Sequence, residues 1–110
     1  VNTNQTLDGL AAPLRALRLL AADFGYLPVP TVSISPIYPD RLELSFHSGL
    51  PDFEAWREAL EAAPGAVDYH VQRNGGTGVL RAVAAYAGAE LELYGYFDVV
   101  TAMPAEAGAA

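Results

Sequence analysis

The sequence contains no cysteine, so disulfides, thiolate nucleophiles and cysteine metal ligands are excluded at the outset. It contains no lysine either: all six basic residues are arginines, set against thirteen acidic ones for a formal net charge of −7. That balance lacks the clustered cations that neutralise phosphates, which argues against nucleic acid and against an anionic membrane surface as partners. No apolar run approaches the ~20 residues of a membrane span. No basic-then-apolar leader is visible, which makes the cytoplasm the expected compartment. Arginine in place of lysine, with abundant alanine and glycine, fits the codon usage of a GC-rich bacterial genome. Val1 fits either a GTG start codon read literally or a processed terminus.

Internal repeats, low-complexity stretches and linkers are also missing. The 110 residues therefore read as one domain, 1–110, with 1–6 and 101–110 as loose termini. A chain of this length buries roughly 60–70% of its unfolded surface and needs no staples.

What is present is a clear alternation of periods. Leu42, Leu44 and Phe46 alternate with polar residues over Arg41–His47 and predict a strand with one apolar side. Phe53, Trp56 and Leu60 then recur at helical spacing over 51–63, with Pro51 in the first turn and Pro64-Gly65 as the stop. Trp56 is simplest as core, and Arg57 and Glu61 are spaced to pair on the solvent side. Upstream, Leu10, Leu14, Leu17, Ala21 and Phe24 define another amphipathic helix. Asp8 or Gly9 would cap its start and Gly25 its end. Thr31–Ser35 alternates between prolines and predicts an edge strand, because proline cannot donate to a ladder.

The last third carries two turn signals. Asn74-Gly75 favours a type I′ hairpin turn, since both central residues need positive φ, and Ala87-Gly88 marks a second. Centring strands on these turns sets Tyr69 opposite Leu80 and Asp68 opposite Arg81, then Leu91 beside Ala84, Leu93 beside Ala82 and Tyr94 beside Arg81. The two turns agree: Val67, Tyr69, Val71, Leu80, Ala82, Ala84, Leu91, Leu93 and Phe97 share one face, and a one-residue slip would break that. The expected fold is therefore α+β in the order αββαβββ, a mainly antiparallel sheet with both helices on one face. The first hairpin can join beside the strand at 67–73 or beside that at 89–98.

The opposite face holds the candidate functional residues. By the same register it presents Asp68, His70, Gln72, Val79, Arg81, Val83, Glu90, Glu92, Tyr94 and Tyr96, extended by Arg41, Glu43, Ser45 and His47. Aromatic and aliphatic residues among charges are the make-up of a protein interface, with His70, Val79, Arg81, Val83, Tyr94 and Tyr96 as its candidates. Tyrosine and valine also simply favour strands.

Catalytic chemistry finds little support. Asp68 and His70 share a strand face and are weak metal candidates, needing further ligands from His47, Glu90 or Glu92; a surface ion pair of Asp68 with Arg81 is the simpler reading. Ser45 and His47 lack an orienting carboxylate. The glycines of 75–78 precede a strand rather than a helix, so they do not form a phosphate loop. Glu90 and Glu92 lie on one strand face, not across a cleft.

The expectation is a small acidic, non-catalytic interaction module without cofactor. It would dock a protein partner, or itself as a homodimer, through the open sheet face or a strand edge. The alternative is a small-molecule or metal-binding domain using Asp68, His70, His47 and Tyr96. A nucleic-acid mimic would require a dense acidic stripe, whereas these acids are dispersed among arginines.

Overall fold

Residues 6–47, 49–72 and 75–98 are described by the computed structural model. A 3-10 turn at Leu7–Leu10 runs into α1 (Ala11–Asp23), followed by β1 (Thr31–Ser33), β2 (Arg41–Phe46), α2 (Leu50–Ala59), β3 (Asp68–Val71), β4 (Thr77–Tyr86) and β5 (Ala89–Asp98). This is the α+β class in the expected order. The five strands form one sheet, β1-β2-β5-β4-β3. All neighbours are antiparallel except β2 and β5, which run parallel. That parallel pair settles where the first hairpin joins.

Both hairpin registers follow from turn chemistry. Ala87 and Gly88 adopt φ of 53° and 83°, the positive pair a type I′ turn requires. Leu91 then faces Ala84, Leu93 faces Ala82 and Tyr94 faces Arg81. Asp68 faces Arg81 and Tyr69 faces Leu80 across β3 and β4. Gly75 has φ of 74°; Asn74 lies outside the described residues, as do the tail at 99–110 and residues 1–5.

The core forms where β2 meets β5. Leu42 pairs with Leu91 and Leu44 with Leu93, and all four are inaccessible to solvent. Phe53 and Trp56 of α2 and Ala16 and Leu20 of α1 close over them. Phe46 meets Phe53 edge-on, with ring centres 6.5 Å apart, a favoured aromatic geometry. The Trp56 indole N–H donates to the Pro28 carbonyl at 2.7 Å, so burying the ring leaves no polar atom unpaired. Phe53 lies directly on Gly95: a Cβ there would sit 2.9 Å from the Phe53 ring.

Several expectations need correcting. The buried line of α1 is Pro13, Ala16 and Leu20. It is rotated by one position, about 100°, from the stripe expected through Leu14, Leu17 and Ala21. Small Ala16, rather than a leucine, lets the helix backbone approach the sheet. Leu10 belongs to the preceding 3-10 turn, no side chain caps the start, and Gly25 does not take the left-handed cap conformation. β1 ends at Ser33 rather than Ser35, though it is the edge strand expected.

α2 ends at Ala59, not Ala63, because Glu61 turns left-handed at φ 61°. The turn brings the Ala62 carbonyl back to the Arg57 Nη1, and Arg57 also grips Glu54 at 2.9 and 2.8 Å. Arg57 is thus buried and paired with Glu54, not with Glu61 on the solvent side.

The helices roof only part of their face. α1 and α2 pack on β2 and β5, which leaves Tyr69 54% and Val71 43% exposed on β3. Both point to the expected side, but α2, at ten residues, spans only ~15 Å and does not reach the far edge.

Gly95→Ala tests the roof. The added methyl must displace the Phe53 ring, and overpacking of this kind costs ~1–3 kcal/mol. The expected result is a lower urea midpoint with an unchanged slope.

Candidate functional site

Strand alternation and the two registers build the face opposite the helices in rows. One row runs His47, Tyr96, Val79, His70; the next runs Ser45, Tyr94, Arg81, Asp68; a third runs Glu43, Glu92, Val83; and Arg41 stands beside Glu90. No described helix packs on this side. Tyr94 and Tyr96 are half-buried on it, Val83 and His70 are exposed, and Val79 is buried beneath its neighbours.

Its centre is a carboxylate. Glu92 is 1% exposed, a state an acidic side chain reaches only when paired. The Arg81 Nη2 donates to one of its oxygens at 2.8 Å, and the Tyr94 hydroxyl donates to the other at 2.5 Å. Arg41 approaches from β2, with its Nε 3.2 Å from the oxygen that Arg81 holds. That N–H is buried but too poorly aligned to count as a hydrogen bond. The Arg41 guanidinium also lies 4.2 Å from the Tyr38 ring centre, within range of a cation–π contact.

Opposing effects set the protonation of this cluster. Burial pushes the Glu92 carboxyl up, but the bonds from Tyr94 and Arg81 and the charges of Arg81 and Arg41 outweigh it and hold the carboxyl below its ordinary value. Burial, then the adjacent Glu92, push the Tyr94 phenol up. The Tyr94 oxygen, then Glu92, raise the Arg81 guanidinium. The cluster is an ionised carboxylate clamped between two arginines with a neutral tyrosine as a third donor. It contains no free nucleophile and no base positioned to accept a proton.

The residues of the small-molecule or metal alternative are divided. His47 stacks on Tyr96, with ring centres 4.6 Å apart and planes within 2°. Asp68 sits 3.8 Å from Arg81, the surface ion pair expected from the register, and His70 lies on the edge strand. His47 and His70 are three strand spacings apart, about 14 Å. Among the described residues no group of three or more potential ligands could hold a metal ion.

A cleft of about 630 Å³ opens at the end of the sheet, lined by His47, Gly49, Gln72, Thr77, Tyr96, Phe97 and Asp98. It takes in the stacked rings but neither Asp68 nor His70.

What sequence reasoning missed is the clamp itself. Arg41, Arg81, Glu92 and Tyr94 were each assigned to this face, but Arg41 meets Glu92 only because β2 lies beside β5. No family model, curated protein or solved structure matches the chain. Among the described residues no helix is long and apolar enough to cross a membrane.

Glu92→Gln tests the clamp. It keeps the shape but removes the charge the two arginines share, leaving Arg41 the looser contact with Glu90 at 3.9 Å and Arg81 that with Asp68 at 3.8 Å. Breaking a fully buried pair costs about 3–5 kcal/mol; Arg81 is partly solvated, so screening reduces the expected loss to ~1–3 kcal/mol at neutral pH. Because the Glu92 pKa is lowered on folding, its contribution is present above the ordinary value of 4.5 and is lost as pH falls through the folded value. Denaturation curves should therefore show the gap between wild type and variant closing below about pH 4.5.

Proposed function

We infer that the chain is a non-catalytic protein-docking module that receives a basic segment of a partner on its open sheet face. The observation that carries this reading is a broad strand surface bearing half-buried Tyr94 and Tyr96 among more carboxylates than guanidiniums. Glu43, Asp68, Glu90, Glu92 and Asp98 share the face with Arg41 and Arg81. Aromatic rings bordered by carboxylates suit an arginine or lysine side chain, through cation–π contact and ion pairing together. The net charge of −7 steers a basic partner toward the module from a distance. Glu92 also contributes by holding the Tyr94 ring in one orientation, so less side-chain freedom is lost on binding.

The cleft beside His47 and Tyr96 favours a second reading, a small polar ligand received at the end of the sheet. The two readings separate at Val83, which is exposed on the docking face and does not line the cleft.

Affinity measurements on a partner captured from the native host test the docking reading. Tyr96→Glu and Val83→Glu should each weaken binding at least tenfold, about 1.4 kcal/mol, with unchanged circular dichroism. Binding should also weaken with added salt, as expected for exposed charges. Tyr94 is not a clean probe, because its hydroxyl belongs to the Glu92 clamp. A partner retained equally by both variants would count against the face; loss with Tyr96→Glu alone would favour the cleft.

A further inference from the structure

We propose that β3 is a dimerisation strand, joining two copies of this chain edge to edge in antiparallel register about a twofold axis at Tyr69. The contact takes Asp68 and His70 from the margin of the open face and leaves Val83, Tyr94 and Tyr96 uncovered.

The sheet has two edges, and they differ. β1 is three residues long and is preceded by Pro28 and Pro30, which blunts it as a template for pairing. β3 contains no proline, and all four of its residues are exposed. Its backbone phase follows from one hydrogen bond: the Gln72 N–H donates to the Thr77 carbonyl at 2.8 Å. Antiparallel ladders alternate, so Gln72, His70 and Asp68 turn their peptide groups toward β4. Tyr69 and Val71 turn theirs away from β4, to the side of β3 that no described strand occupies, where a second strand would bond to them.

Charge selects the register. A twofold at Asp68 would set the two Asp68 carboxylates against each other. A twofold at His70 would set imidazole against imidazole. A twofold at Tyr69 sets Asp68 of each copy opposite His70 of the other, giving two acid–imidazole pairs on one face. An imidazole N–H donates to a carboxylate in either protonation state. These pairs fall on the non-hydrogen-bonded positions, where facing side chains lie closest. Asp68 is available for this, since its contact with Arg81 is long, at 3.8 Å.

On the other face the same register sets Tyr69 against Tyr69 and Val67 against Val71. Tyr69 and Val71 are the apolar side chains that α2 leaves uncovered, and the Tyr69 ring already stacks on Phe97 at 5.9 Å. Pairing would extend this apolar row across the junction. Each element of the match is reciprocal, as an isologous contact requires. Repulsion between two chains of charge −7 is screened beyond about 8 Å at physiological salt.

Sedimentation equilibrium of the full chain between about 10 and 200 µM tests the proposal, a range chosen for weak edge pairing. Wild type should form a reversible dimer. Tyr69→Lys, at an exposed edge position, should give a monomer with unchanged circular dichroism. His70→Asp should weaken the dimer at least tenfold, and adding Asp68→His to it should restore association by exchanging the two partners. A wild type monomeric throughout this range overturns the proposal. So does a dimer insensitive to Tyr69→Lys, or a double variant no tighter than His70→Asp alone. Val83→Glu should leave the dimer intact, so failure here and failure of the docking reading are told apart.

Discussion

The parallel pairing of β2 with β5 is the constraint on which the rest depends. It sets Leu42 beside Leu91 and Leu44 beside Leu93 on one side of the sheet, and Arg41 beside Glu90 and Glu43 beside Glu92 on the other. The first set gives the helices a surface to cover. The second brings an arginine from β2 to a carboxylate that already has one from β4. Core and clamp are the two sides of one strand pair, and shifting either strand by one residue would exchange them.

The clamp is better understood through orientation than through stability. A carboxylate at 1% exposure has surrendered most of its hydration, and ion pairs in such places often recover little more than that loss. What they do accomplish is to hold Tyr94, Arg81 and Arg41 in fixed positions on a surface with no described helix over it. Side chains that would otherwise sample several rotamers are held in one arrangement before any partner arrives.

Legibility in the sequence followed the range of each interaction. The meander could be read because turn chemistry is local: Ala87-Gly88 fixes the pairing of Arg81 with Tyr94 without reference to anything distant. The strand at 41–46 and the burial of Phe53 and Trp56 were likewise visible as periodicity. The joining of β2 to β5 was not, because a parallel pair needs a long crossover and leaves no local signature. Arg41 could therefore be assigned to its face but not to Glu92. Helix rotation was missed for a related reason: leucines at 10, 14 and 17 outweigh Ala16 in any apolar count, while close approach to the sheet selects the small residue. The exposure of Tyr69 and Val71 depends on the reach of α2, which alternation along a strand does not encode.

The wiring of the sheet also bears on how it assembles. Strands β3, β4 and β5 are consecutive and meet through short turns, so their contacts close small loops. Leu42 and Leu91 lie about fifty residues apart along the chain, and bringing them together closes a loop that contains α2 and most of the meander. Among the strand pairings of the sheet, loop entropy opposes that one most. The meander is thus the natural early-folding unit and the docking of β2 the late one. Until it docks, the backbone edge of β5 is unpaired, the period in which a newly made chain is most exposed to aggregation.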